Sequence, residues 1–538
     1  MKITSSPREL NKIQVVASLL EFDHESVTSI PAGYPFSIQE LIDAEKGIQG
    51  EIIYPWSSDY SDAKHSENPL FDAKPTMVVF VANYSDIRCC LKLATDKNLA
   101  TTIRSGRHSI ANYSVCDGLV IDVSKFQGIY VDRKPIIEDS TVWVQAGVTF
   151  EDLNPQLEFY GMHLPGGGCP TVSVAGYMQG GGYSLTSRTY GIQSDLVVEF
   201  SMMLADGKIV VASKDQNEDL FWAVRGGTGG NFGILLDMKY KIFELGKIWG
   251  FALEWDFEED FKDAGEALYL IQEHYLKGNQ HPELGIQTMV YTDFGSVLTE
   301  GRKKVRFGAS YVGTREELFA TIDPLLKSKG VVISVNPWQG LYSEVNNDII
   351  EGIPNFGEAT LSYLPPAYNG PVYYGRSTYV SKSLTATDYE DILEFFKKNS
   401  ANNLTMIDFE AYGGVINEFD LKDSSFIHRD TIFDFYVLAF FNASDKKKNR
   451  QFIKDMYEFM EKFSNGHSYQ NYPNRDQEDW QWAYWGTYYY QLRKVKEKYD
   501  TKNFFNYGQT IGADLKDEFA DKQEFIFESN SPIIHENY

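Results

Sequence analysis

Apolar positions along this chain recur with two textures that change near residue 243. In the first half, Met77–Val81 is a short apolar run that predicts a strand. Ser85 reads as the N-cap of a following helix with Ile87, Cys90, Leu91 and Ala94 on one face. Thr101–Arg104 predicts the next strand, closing a β-α-β unit that ends at Arg104-Ser105-Gly106-Arg107-His108. Further strands are predicted at Gly118–Val123, Val142–Gln145, Leu196–Leu204, Ile209–Ala212 and Ile234–Tyr240. Ala205-Asp206-Gly207 is a hairpin turn signal, Phe150–Tyr160 a helix, and Asp219–Gly233 a short helix closed by glycines.

From about Phe243 long strands alternate with amphipathic helices. Phe261, Ala264, Leu268 and Ile271 fall at helical spacing, and Thr314 with Glu317 forms a capping box ahead of Leu318, Ile322 and Leu325. Helices are also predicted over Thr387–Lys398 and Ser444–Phe463, with strands at 286–292, 304–311, 373–380, 404–412 and 432–441. Such a series implies one antiparallel sheet with helices on one face, hence an α+β class. At 538 residues the chain exceeds one core. The expected division is a first domain over 1–242, a substrate domain over 243–465, and a segment over 466–538 that returns to the first. Residues 1–70 carry few periodic signals and form an N-terminal arm.

Charge and cysteine usage narrow the class. A formal charge of -25 at pH 7 argues against nucleic acid and anionic membrane surfaces. No apolar run approaches a membrane span, and the opening MKITSSPRELNKIQ lacks the apolar core of a secretory signal. The cysteines at 89, 90, 116 and 169 make no disulfide framework for a chain this long. The expectation is a cytoplasmic protein in a reducing compartment, without nucleic-acid or membrane partners.

The chemistry concentrates in Pro165–Ser184, PGGGCPTVSVAGYMQGGGYS, where two three-glycine runs flank Cys169. Each glycine in a regular element costs roughly 0.5–1 kcal/mol, so this density points to close backbone approach to something. Taken alone, His108 reads as a hydrogen-bonded loop histidine and Cys169 as a small buried hydrophobe. GGTGGNFG follows a helix and does not fit the dinucleotide fingerprint. Neither H-E-x-x-H nor G-x-S-x-G occurs, and the nine histidines show no ligand spacing.

Together, Ile103-Arg104-Ser105-Gly106-Arg107-His108-Ser109, Gly118–Ser124, Cys169-Pro170-Thr171-Val172, Gly180–Tyr183, Asp219–Gly233, Tyr469-Gln470-Asn471-Tyr472 and Tyr499–Ile511 occur in a family's order. The chain resembles the berberine bridge enzyme-like and oligosaccharide oxidase branch of the vanillyl-alcohol oxidase (PCMH-type) flavoprotein superfamily. The resemblance implies a two-domain FAD-binding fold with FAD in the first domain. It also implies covalent bonds from His108 to the flavin 8α carbon and from Cys169 to C6, where an oxidised flavin is electrophilic. Ser105, Gly106, Arg107, His108 and Ser109 form the expected pyrophosphate cradle after Arg104. Val174, Gly176, Gly180, Gly181, Gly182, Ser184, Asn231, Gly233 and Asn471 are expected to line the cofactor. An oxygen-gating side chain is placed among Val172–Ala175.

By the same resemblance Tyr469 is the expected base for an alcohol proton. Asp408, Glu410 and Tyr412 share a face of the strand before Gly413-Gly414. Glu410 is the expected partner of Tyr469 and Asp408 a second candidate, although an outward solvated face explains the alternation equally well. Arg107 stands where relatives often have a second glycine. Tyr177 stands where many have a histidine near the flavin N1–C2 edge, and a phenol can donate there but cannot carry positive charge. The implied activity is an FAD-dependent oxidase acting on an alcohol or sugar hemiacetal carbon, with O2 reduced to H2O2. A tailoring oxidase or dehydrogenase for an aromatic or polyketide alcohol is the second reading, and a flavin-holding protein without turnover the third.

Overall fold

The protein is described here by a computed structural model covering residues 33–512, apart from 67, 69, 294–300, 352–371 and 442. Of the expected arm over 1–70, the part before residue 33 lies outside the described residues, as does the C-terminal segment beyond 512; the rest is no bare arm, since Ile38–Gly47 is a helix and Glu51–Ile53 an edge strand of the first sheet. The expected mixture of helix and antiparallel sheet is what the structure has, in three main sheets.

The first sheet runs β1 (Glu51–Ile53), β2 (Met77–Phe80), β4 (Leu119–Asp122), β3 (Thr101–Arg104). β2 and β3 each pair with β4 in parallel, so the two strands expected to be neighbours are separated by the third. The crossover helix Tyr84–Lys97 buries Ile87, Cys90, Leu91 and Ala94, the face read from its periodicity. Its cap, however, is Asn83, whose side chain accepts from Asp86 N. Asparagine caps as well as serine, and extended backbone at residue 83 starts the helix before Ser85. The second sheet, β5 (Ile129–Asp132), β6 (Thr141–Gln145), β10 (Ile234–Lys241), β8 (Val197–Met203), β9 (Ile209–Ser213), is antiparallel throughout. The short strands β7 (Met162–His163) and β11 (Phe243–Glu244) pair beside it.

The third sheet has seven antiparallel strands in the order β15 (Val332–Gly340), β12 (Ile248–Asp256), β14 (Lys303–Tyr311), β13 (Leu284–Thr292), β17 (Thr405–Ala411), β18 (Phe433–Phe441), β16 (Val372–Val380). Helices at Lys262–Ile271, Arg315–Leu326, Ala386–Asn399 and Lys446–Met460 pack on one face, where Ile407, Phe409, Phe433, Phe435 and Val437 join their apolar stripes. The Thr314–Glu317 capping box is present. The two outlying strands β12 and β15 had no sequence assignment.

Two elements tie the halves together. Residues 480–511 contribute Trp480, Trp485, Leu492 and Phe505 to the core that also holds β2, β4 and β10. Just before them, residues 468–474 run along β16: Tyr469 N donates to Ser377 Oγ at 2.8 Å and Asn474 Nδ2 to Gly375 O at 2.7 Å. Arg429, ahead of β18, forks onto Asp195, ahead of β8, with Nη2–Oδ1 2.6 Å and Nη1–Oδ2 2.8 Å. Both side chains are almost wholly buried. Removing one partner strands the other charge, at a cost of about 3–5 kcal/mol. Arg429→Met is therefore expected to lower unfolding stability by that amount in denaturant titration; a loss under about 1 kcal/mol would show the pair is not a tie.

Candidate active site

Where the halves face each other they enclose a cavity of ≈ 530 Å³, a size typical of small-molecule sites. One wall comes from the loop after β3, the 167–177 stretch and the 228–230 turn, the other from β13, β17 and β18. Arg104 through Ser109 all line it. Gly106 has no room for a side chain, since a Cβ would lie 2.5 Å from Ser173 N. Arg107 follows in left-handed backbone, φ 66°. That conformation favours glycine, which explains the residue usual at this place and costs an arginine roughly 1–2 kcal/mol.

His108 and Cys169 line the same wall, and His108 Nε2 lies 2.8 Å from Thr171 Oγ1, two residues after the thiol. The hydroxyl of Ser105 is engaged with Ala146 O and Ser173 Oγ, and that of Ser109 accepts from Tyr113 N. Arg104 braces β3 to β4, its Nε donating to Asp122 Oδ2 at 2.7 Å, while its Nη2 is buried without a partner. Gly176 has nothing within 4 Å of where a Cβ would stand. Tyr177 presents a buried hydroxyl with no partner, its ring fixed edge-on to Phe150. An open glycine face, an unpaired guanidinium nitrogen, an unpaired phenol, and a thiol and an imidazole on one side form a wall that FAD fits.

Several sequence-derived contacts belong elsewhere. Gly180, Gly181 and Gly182 are absent from the cavity wall. Cβ atoms there would lie 1.9 Å from Asn471 Oδ1, 2.6 Å from the Phe426 ring and 2.8 Å from the Tyr177 ring. Close packing against protein, not against a cofactor, demands these glycines. Val174 is sealed in the first core, whereas Val172 and Ala175 reach the cavity. Asn231 clamps the C-terminal segment instead: Nδ2 donates to Tyr507 Oη, and Oδ1 accepts from Thr510 Oγ1 and Ile511 N. Gly233 and Ser184 reach the wall, but a Cβ on Gly233 would strike Met202, and the Ser184 hydroxyl sits among those of Thr186 and Ser187. Asn471 lines the cavity and donates to Tyr177 O.

Tyr469 does not meet Glu410 through its hydroxyl. Its Oη accepts from Gly182 N at 3.0 Å, Tyr183 N at 3.2 Å and Asn471 Nδ2 at 3.0 Å. The turn that aims those amides needs φ 118° at Gly181 and 87° at Gly182. Three donors fill the oxygen's accepting directions, so the hydroxyl, on the cavity wall, is held by the 182–183 turn and by Asn471 and not by Glu410. Burial and the nearby Glu410 raise its pKa, outweighing the donors.

The residue sequence reasoning passed over is Tyr472, the last of the same Y-x-N-Y motif. Its ring stacks on Tyr436 at 4.1 Å and its hydroxyl donates to Glu410 Oε1 at 2.5 Å. Nothing in the motif says which tyrosine turns toward the sheet. Glu410 Oε2 is buried without a partner. Asp408, two residues earlier on β17, accepts from Gln287 Nε2 at 2.7 Å and leaves Oδ1 unpartnered. Both carboxyls line the cavity at only 7% and 6% exposure, so their alternation is not a solvated face. Burial pushes Asp408 up to about 7, and burial with Asp408 and Asp434 nearby pushes Glu410 well above the carboxylate range. Apolar Met289, Met406, Leu438 and Phe440 fill the wall around them. Among the described residues no cluster of His, Cys, Asp and Glu could hold a metal ion, and no helix is long and apolar enough to cross a membrane.

Residues 75–213 match the family described as FAD binding domain, and residues 468–512 that described as berberine and berberine like. An uncharacterised FAD-linked oxidoreductase of Bacillus subtilis is 28% identical over 476 residues, covering 86% of this chain and 97% of the relative. A chitooligosaccharide oxidase of Gibberella zeae is 25% identical, covering 81% and 87%. The solved structure of BBE-like 1 from Physcomitrella patens superposes with TM-score 0.76 at 22% identity, covering 89% of this chain and all of that one.

Carboxyls whose folded pKa lies above the unfolded value bind more protons in the native state. Their stability contribution is complete below the unfolded values, about 4, and is lost as pH rises through the folded ones. For Asp408 the window runs from about 4 to about 7. Asp408→Asn is therefore expected to flatten the fall in unfolding free energy across it by up to about 1.4 kcal/mol per pH unit. Parallel slopes in denaturant titrations of the two proteins would refute the shift.

Proposed function

We propose, for a chain that belongs to the berberine bridge enzyme-like FAD-linked oxidoreductases, an oxidase with bicovalently attached flavin that oxidises an alcohol carbon and passes the electrons to O2, releasing H2O2. The observation that carries the reading is the meeting, across one cavity, of the His108–Cys169 wall with the Tyr472–Glu410 pair. FAD, when bound, supplies the two-electron acceptor, and His108 with Cys169 would hold it covalently. The remaining work is proton handling by the chain.

Tyr472 Oη is the expected acceptor of the alcohol proton while its own proton passes to Glu410 Oε1 along their 2.5 Å bond. This requires Glu410 ionised, so the reaction is expected to rise with pH. The elevated pKa makes the carboxylate a stronger base once it has formed. Gln287 keeps Asp408 in place, and the stack on Tyr436 fixes the Tyr472 ring. Tyr469 acts earlier in the hierarchy, holding the Gly182–Tyr183 turn against the segment that carries Tyr472.

The cavity also bears on substrate. Most of the substrate domain's aromatics, Phe409, Phe433 and Phe435 among them, pack beneath the helices and cannot stack on a sugar. Beside the carboxyls the wall is Met289, Met406, Leu438 and Phe440, with Tyr373 and Tyr436. The unpartnered polar atoms there, Gln287 Oε1, Asp408 Oδ1 and Glu410 Oε2, are oxygens. So few polar atoms on an otherwise apolar wall favour a hydroxyl carried on an apolar or aromatic frame over an oligosaccharide, whose many hydroxyls each need a polar partner.

Acid-denatured protein is expected to keep its yellow colour and the mass of one FAD in wild type and in His108→Ala and Cys169→Ala singly, and to lose both in the double variant. Colour that washes out of wild type would overturn bicovalent attachment. Tyr472→Phe is expected to retain the flavin but slow its reduction by alcohols about 10²–10⁴-fold. Undiminished reduction in that variant would remove Tyr472 from the mechanism.

A further inference from the structure

Behind the Tyr472–Glu410 pair lies a third carboxyl for which neither the cavity nor the proposed chemistry accounts. Asp434 on β18 stands directly across the strand pair from Glu410 on β17. Residues opposed in this way share a face, so its side chain lies on the cavity side of the sheet. Even so it does not line the cavity and is 0% exposed; neither carboxyl oxygen makes a full hydrogen bond, and the Ser377 side chain alone acts on it as a donor. An unpaired buried carboxyl is costly, and its persistence calls for an explanation.

We propose that Asp434 is a positioning residue which, from across the β17–β18 pair, makes ionisation of Glu410 depend on its own protonation and so sets the pH at which the Tyr472–Glu410 pair can take a proton. The inference rests on the role given to that pair above.

The surroundings leave the charge nowhere else to go. On the other side Asp434 is paired with Tyr379 of β16, whose hydroxyl is 2.8 Å from that of Tyr412, and Ser377 lies on the same strand. Tyr469 packs into the same aromatic cluster, and His428 stacks on Tyr379. Burial holds the tyrosines neutral and drives His428 far below its usual pKa, so none of them supplies a cation. Among the described residues no lysine or arginine is among the charges acting on Asp408, Glu410 or Asp434. Three carboxyls without a cation lose their protons in linked steps, each ionisation opposing the next. Asp408 goes first because Gln287 donates to it. Once Asp434 carries charge, Glu410 beside it must wait for a higher pH.

The test needs no substrate. In flavin-loaded protein the carbonyl stretch of protonated carboxyls is followed by infrared spectroscopy from pH 5 to 10, and the Glu410 band is identified by its loss in Glu410→Gln. Asp434→Asn, which keeps shape and removes the charge, is expected to move the Glu410 titration down by about one pH unit or more. Asp434→Glu is expected to leave it high. An unmoved Glu410 titration in a folded Asp434→Asn protein would overturn the inference, and so would loss of stability alone with the titration intact. If Asp434→Asn fails to fold, Asp434→Ser serves, with the same two outcomes. Rapid reduction by alcohols in Glu410→Gln would instead overturn the base assignment while leaving the electrostatic coupling to be judged by the titration.

Discussion

The close approach of two backbones at Gly180–Gly182 and Tyr469–Tyr472 is the constraint on which the site depends. A Cβ at residue 180 would occupy the place of the Asn471 amide, and the left-handed backbone at Gly181 and Gly182 is what turns two amides onto the Tyr469 hydroxyl. The first half of the chain and the C-terminal segment are thereby held in one register. From that register follow the stack of Tyr472 on Tyr436 and its bond to Glu410. Loosening this contact by the width of one methyl group would shift the tyrosine relative to the carboxyl that gives it meaning.

Much of the architecture was legible because local rules agree with the global fold. The strands of the seven-stranded sheet near its centre were placed within a residue or two, since their apolar runs are long and bounded by amphipathic helices with clear caps. What could not be read was pairing. β4 lies between β2 and β3 although it follows them in sequence, and no residue pattern announces an insertion into a parallel pair. β12 and β15 escaped notice for different reasons. β15 is an edge strand with exposed Val332 and Ile333 and carries no clean alternation, while β12 is buried on both faces and reads as a continuous run.

The site divides along the same line. His108, Cys169, the Ser105–Ser109 loop, Gly176 and Tyr177 face the cavity because loop chemistry is encoded in short, contiguous motifs. Glycine itself is ambiguous. Gly176 is open to the cavity and Gly180–Gly182 are packed against protein, yet in sequence both look like backbone making room for a ligand. The two tyrosines of the Y-x-N-Y motif are equally alike in sequence. Only the tertiary fold says that the first is surrounded by donors and the second by a carboxylate.

The carboxyl face shows why burial matters more than residue type here. Asp408, Glu410 and Asp434 lie on strands that are covered on both sides, one face by helices and the other by the cavity. On an exposed sheet the same alternation would place three solvated, permanently ionised groups of little chemical interest. Enclosed without a cation, they cannot all be charged near neutrality, and the first to ionise governs the rest. On the proposed reading the sheet supplies the cavity with a proton acceptor whose strength is set by its carboxyl neighbours, Asp408 on the wall and Asp434 behind it. A change at Asp434, which is not part of the wall, would then tune the chemistry while leaving the shape of the cavity intact.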